Sequence, residues 1–96
     1  MAALSKNEIQ LKLKEMPGWS YIGKAIQKRY TLKSFMPAMD LVNRIAEAAE
    51  KEQHHPDITI NYNVVSISLS THSDGGVTQK DFGLAQQIDK LAETHS

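Results

Sequence analysis

The chain contains no cysteine among its 96 residues. Disulfides, thiolate metal sites and a cysteine nucleophile are therefore excluded, and a reducing, cytoplasmic setting is the expectation. Proline and glycine are scarce, at 3 and 5 residues, and no linker or low-complexity tract divides the sequence, so one domain over residues 1–96 is expected. No apolar run approaches the roughly 20 residues that a membrane helix requires. The opening Met1-Ala2-Ala3-Leu4-Ser5-Lys6 lacks a basic segment followed by an apolar one, so neither a secretory signal nor a membrane partner is expected. Neither sign of charge dominates, because 11 basic residues balance 11 acidic ones. Without a basic stripe, direct nucleic-acid binding is not expected.

The periodicities that remain spell out a small mixed fold. Ser5 and Glu8 have capping-box spacing, with Leu4 and Ile9 placed as the staple around it. The helix they open carries Ile9, Leu11 and Leu13 and should stop before Pro17-Gly18. Residues 19–22 read as a strand, Gly23-Lys24 as a tight turn, and 25–32 as the returning strand, with Ile26, Lys28, Tyr30 and Leu32 on one side. Ser34 can cap a helix over 35–52, whose stripe is Phe35, Met39, Val42, Ile45, Ala46 and Ala49 and whose outer face reads as mostly polar. Ile58, Ile60 and Tyr62 alternate with polar residues, and Val65, Ile67 and Leu69 alternate with Val64, Ser66, Ser68 and Ser70, giving two half-buried strands. Thr78 and Asp81 repeat the capping-box spacing before a last helix with Phe82, Ala85, Ile88, Leu91 and Ala92 inside. The expected class is α+β: a four-stranded antiparallel sheet with three helices on one face, in the order α-β-β-α-β-β-α.

Chemistry concentrates at the end of the long helix. His54 and His55 precede Pro56, which cannot continue a helix and biases His55 away from helical angles. Neighbouring helical residues point about 100° apart, so an irregular terminus is one of few places where both rings can face one cavity. Glu50 stands four residues before His54, on the same helical face, and is expected to orient it. A carboxylate beside two imidazoles is a kit for proton transfer near neutral pH. His72 follows the last strand; His95 belongs to a terminal tail and is expected to be inert. Each residue also has a plainer reading: His54 and His55 as a solvated helix end, Asp81 as a cap, Tyr62 as a core aromatic and Trp19 as packing rather than a pocket wall. Histidines with Glu50 have donor atoms for zinc or iron, but adjacent histidines rarely share one ion and no HExxH spacing occurs, so no metal is expected. Phosphate-loop and nucleophile-elbow patterns are also missing.

Glu50, His54-His55-Pro56, Tyr62, His72 and Asp81, in this spacing, resemble the signature of the pterin-4a-carbinolamine dehydratases. Pro17-Gly18-Trp19 and Leu69-Ser70-Thr71-His72 extend the resemblance to nearly the whole chain. It implies the helix-on-sheet fold and the removal of water from 4a-hydroxytetrahydropterin to give quinonoid dihydropterin, in tetrahydropterin recycling, without metal or organic cofactor. It also implies a catalytic set of His54, His55 and His72, supporting carboxylates Glu50 and Asp81, and Trp19 lining the pterin site. Homodimers or homotetramers are implied as well. The alternatives it carries are a protein-binding module acting as dimerisation cofactor of a transcription factor, and another pterin-linked task such as molybdopterin metabolism.

Overall fold

The computed structural model describes residues 3–93. Its elements are helix α1 (Lys6–Leu13), strands β1 (Ser20–Ile22) and β2 (Ala25–Thr31), helix α2 (Phe35–Glu52), strands β3 (Asp57–Asn61) and β4 (Val64–Leu69), a single 3-10 turn (His72–Asp74) and helix α3 (Gln79–Glu93). The four strands form one antiparallel sheet in the order β1-β2-β4-β3, which is two local hairpins joined by β2 against β4. The expected element order and sheet are therefore present.

Register decides what each face of the sheet presents. Ile26 lies opposite Leu69, Tyr30 opposite Val65, and Ile58 opposite Ile67. Side chains alternate faces along a strand, so these residues share one apolar face. It meets Leu41 and Ile45 of α2 and Leu84, Ala85 and Ile88 of α3 in one buried cluster, to which α1 contributes Ile9. On the opposite face Ser68 stands between Gln27 and Asp57, and Ser66 between Arg29 and Thr59. That polar face carries none of the helices.

The capping box of α1 forms in full: the Ser5 hydroxyl accepts from the Glu8 N–H at 3.2 Å, and Glu8 Oε1 accepts from the Ser5 N–H at 2.9 Å. The bond from the Ser5 N–H, with the Ser5 hydroxyl nearby, holds the Glu8 carboxyl below the usual range. Leu11, expected in the stripe, is 62% exposed, and Ile9 is the helix's buried residue.

The long helix has its expected span, and Ile45 and Ala49 of its expected stripe are buried, but the rest of the inward row is not the one expected. Its buried residues are Ala38, Leu41, Ile45 and Ala49. Phe35 and Ala46 face outward, and Met39 and Val42 are half-buried. Two apolar ridges of similar spacing run side by side along this helix, and only one can meet the sheet. The outer face is consequently less polar than expected, with Phe35 45% and Met36 65% exposed. Ser34 sits at the N-cap but makes no capping bond through its side chain.

Candidate active site

Helix α2 ends before the proline that was expected to stop it. Gln53 takes left-handed angles, φ 52°, and its N–H reaches the carbonyls of Ala49 and Glu50. Its side-chain amide donates to Glu50 O at 2.7 Å, which helps hold a conformation usually left to glycine or asparagine. The chain therefore leaves the helix at Gln53, and His54 and His55 lie on irregular backbone.

That exit sets the partners of both histidines and corrects the expected pairing of Glu50 with His54. The expectation extended helical spacing through His54, whereas the helix is already over. His54 turns inward to α3, where its Nε2 lies 2.5 Å from Asp81 Oδ1. His55 stays outside, with Nε2 2.5 Å from Glu50 Oε2. The two pairs differ in environment: the side chains of His54 and Asp81 are 12% and 0% exposed, those of His55 and Glu50 58% and 72%.

Asp81 serves as cap and partner together, because its two oxygens divide the work. Oδ1 faces His54, while Oδ2 accepts from the Thr78 N–H and the Thr71 hydroxyl, each at 2.8 Å. The Thr71 and Thr78 hydroxyls lie 2.8 Å apart. Thr71 gives its single proton to Asp81, so Thr78 must donate to Thr71. Thr71, Thr78 and Asp81 are all buried, and no described buried side-chain polar atom lacks a partner. The capping spacing of Thr78 and Asp81 anticipated the Thr78 N–H bond, but nothing in it pointed to the bonds of Thr71, which depend on the loop between β4 and α3. Thr71 and Gly76 close that loop as a two-way backbone bridge, with Gly75 turning at φ 78°. His72 projects from it with no side-chain partner among the described residues.

His54, His55, Ser70, Thr71, His72 and Lys80 line one hollow of about 270 Å³. The structure thus brings the three expected histidines together, with Glu50 and Asp81 behind two of them. Lys80, unremarked in the sequence, adds a cation at the rim. Trp19 is not brought there: it is buried, and its indole N–H donates to Asp89 at 3.1 Å. Lys28 and Tyr30 converge on the same carboxylate, at 2.8 and 2.5 Å. Burial and that carboxylate push the Tyr30 phenol far above its ordinary range. This network borders a larger hollow of about 420 Å³, but its polar groups bond one another and offer no acid–base set. Tyr62 is exposed at the β3–β4 turn rather than in the core, with φ 53°, and His95 lies outside the described residues. Among the described residues no three acidic or histidine side chains are grouped to hold a metal ion.

Paired imidazole and carboxylate groups around a small open hollow can donate and accept protons without a nucleophile. Comparison with known proteins identifies the family. The family model described as pterin 4 alpha carbinolamine dehydratase matches residues 2–91. A Picosynechococcus protein provisionally named pterin-4-alpha-carbinolamine dehydratase is 49% identical over 88 residues, covering 92% of this chain and 96% of its own. One of the same provisional name from Sulfolobus acidocaldarius is 44% identical, covering 92% and 97%. The crystal structure of a transcriptional coactivator/pterin dehydratase from Brucella melitensis matches with a TM-score of 0.90 and 33% identity over 94% of this chain and 98% of that one. A pterin dehydratase-like protein identified as a RuBisCO assembly factor in the alpha-carboxysome shares the fold, with a TM-score of 0.69 and 24% identity over 80% and 92%. On this evidence the chain belongs to the pterin-4-alpha-carbinolamine dehydratase family.

Proposed function

We propose that the protein dehydrates 4a-hydroxytetrahydropterin by histidine acid–base catalysis, in the recycling of a tetrahydropterin within a reducing compartment such as the cytoplasm. The observation that carries the proposal is the convergence of His54, His55 and His72 on one hollow, two of them backed by carboxylates at 2.5 Å. In the reaction the C4a–O bond breaks, N5 loses its proton, a C4a=N5 double bond forms and water leaves. One group must protonate the departing hydroxyl and another must take the N5 proton. Imidazoles perform both tasks near neutral pH, each worth about 10²–10⁴-fold when well placed.

In this reading His55 is the main acid–base group. Its openness lets it exchange protons with water between turnovers, and Glu50 keeps its ring aimed. His54, fixed by Asp81, holds the hydroxyl with His72. Stopped-flow decay of the carbinolamine tests these roles with His54→Ala, His55→Ala and His72→Ala. Each should lose at least tenfold in kcat, His55→Ala the most. A His55→Ala enzyme as fast as wild type would remove its role.

A second reading concerns protein contacts, and the outer ridge of α2 favours it. Phe35, Met39, Val42 and Ala46 follow one another at helical spacing, with Met36 beside them, and exposed apolar patches mark interaction surfaces. We assign this ridge to a homo-oligomer interface. The protein-binding alternative, with a transcription factor as partner, uses the same ridge and is supported by the double name of the Brucella melitensis neighbour. Sedimentation of wild type against Met36→Glu tests the assignment. A wild-type monomer would pass the ridge to a different protein.

A further inference from the structure

The three histidines do not account for the whole of their hollow. Its lining also includes Gln53, Ser70, Thr71, Ser73 and Lys80. A pterin brings more polar atoms than the 4a-hydroxyl and the N5 proton, and the remaining donors must meet them. Two of those donors are already committed within the protein. The Gln53 amide donates to Glu50 O at 2.7 Å, and the Thr71 hydroxyl donates to Asp81 Oδ2 at 2.8 Å. Ser70, Ser73 and Lys80 are left, and of these only Lys80 carries a permanent charge.

Lys80 stands where a lysine does nothing for the fold. It is the second residue of α3, and its N–H donates to the Thr78 hydroxyl at 3.2 Å. The first turn of a helix is electropositive, so the dipole favours an acidic residue there and disfavours a cation. The Lys80 side chain is exposed, and its ammonium has no hydrogen bond or ion pair among the described residues. Its neighbour Asp81 points inward to His54. Successive helical residues diverge by about 100°, which turns Lys80 to the mouth of the hollow instead of the core. A residue that breaks a local rule without structural compensation marks a functional position.

The chemistry of the substrate names the atom that Lys80 meets. In the carbinolamine the reacting carbon C4a is bonded to C4, which carries a carbonyl oxygen. With C4a among the histidines, that oxygen is the nearest acceptor that takes no part in the proton transfers. An ammonium donates and never accepts, so a carbonyl oxygen is its match. We propose that Lys80 holds the C4 carbonyl of the pterin from the rim and so fixes which way the ring lies over His54, His55 and His72. The proposal rests on the dehydratase reading and adds a substrate-binding residue to it.

The test titrates wild type, Lys80→Met and Lys80→Arg calorimetrically with two ligands. One is a 7,8-dihydropterin; the other is its 2,4-diamino analogue, in which an amino group replaces the C4 carbonyl. A hydrogen bond to a charged group is worth about tenfold or more. Wild type should therefore prefer the carbonyl ligand by about tenfold or more. Lys80→Met should weaken the dihydropterin by that factor, change the diamino analogue little and bring the two affinities together, while Lys80→Arg should keep the preference. In stopped-flow turnover the loss in Lys80→Met should fall on KM, with kcat close to that of wild type. Its Tm should be unchanged or higher, since the substitution removes a cation from the first turn of α3. An unchanged affinity for the dihydropterin in Lys80→Met would overturn the proposal. Equal losses for both ligands with a lowered Tm would also overturn it, by assigning Lys80 to the fold. A fall in kcat with KM unchanged would do the same, by placing the ammonium on the departing hydroxyl. A wild type that shows the carbonyl preference but does not hasten carbinolamine decay would end the dehydratase reading and leave the Lys80 contact standing.

Discussion

Replacing Asp81 by asparagine isolates one oxygen of a buried carboxylate. Oδ2 accepts two donors, Thr78 N–H and the Thr71 hydroxyl, so the amide oxygen of asparagine must take that place. Its NH₂ group then faces His54 Nε2, where a carboxylate oxygen stood at 2.5 Å. A charge-assisted bond becomes a neutral one, and the imidazole must accept instead of donate. Hydrogen bonds to charged groups contribute about 1.5–3 kcal/mol net. Expressed wholly in the transition state, that is about 10–150-fold in rate. Asp81→Asn should therefore lose between one and two decades of kcat in stopped-flow assays and at most about 3 kcal/mol in urea unfolding. Asp81→Ala orphans both cap donors and His54, at about 3–5 kcal/mol, a large fraction of the roughly 5–15 kcal/mol available to a small domain. Asparagine is thus the sharper probe. Wild-type kcat in both variants would refute the view that Asp81 orients His54.

Other outcomes follow from the same geometry. Thr71→Val removes one donor to Asp81 and leaves the Thr78 hydroxyl without its acceptor, and should lower stability by about 1–3 kcal/mol in urea titrations; Thr71→Ser should restore it. Trp19→Phe keeps a ring but loses the bond to Asp89. It should cost about 1.5–3 kcal/mol of stability with KM little changed; a KM raised tenfold would return Trp19 to the pterin site. Alkaline pH should unfold the protein through Tyr30. Its folded pKa is raised, so its contribution is present below the ordinary value near 10 and is lost as pH climbs from there toward the folded value. The slope is about 1.4 kcal/mol per pH unit, seen as a Tm falling above about pH 10 and flattened in Tyr30→Phe.

Much of this was legible in the sequence because binary patterning and capping are local. Alternation set the faces of β2 and β4, and Ser5 with Glu8 marked the start of α1. What local pattern could not reveal was orientation in three dimensions. The long helix carries two apolar ridges; Ile45 and Ala49 were in the expected stripe, but placing Ala38 and Leu41 beside them rather than Phe35, Met39 and Ala46 requires knowing where the sheet lies. The pairing of Glu50 failed for a related reason. Helical spacing predicts a partner only while the helix lasts, and the left-handed Gln53 ended it one residue before His54. Thr78 was legible as the cap partner of Asp81, but Thr71 stayed hidden because it reaches Asp81 only across the closed loop between β4 and α3. Alternation put Lys28 on the same side of β2 as Ile26 and Tyr30, but the reason for a lysine there, the carboxylate of Asp89, lies 61 residues away.

The most direct test of the central claim is the ultraviolet decay of freshly formed 4a-hydroxytetrahydropterin in stopped flow, with and without the wild-type protein. The account predicts decay faster than the spontaneous reaction by at least the hundredfold that one well-placed proton transfer supplies, proportional to enzyme concentration. Decay at the spontaneous rate would contradict it and would leave the fold in place as a binding module.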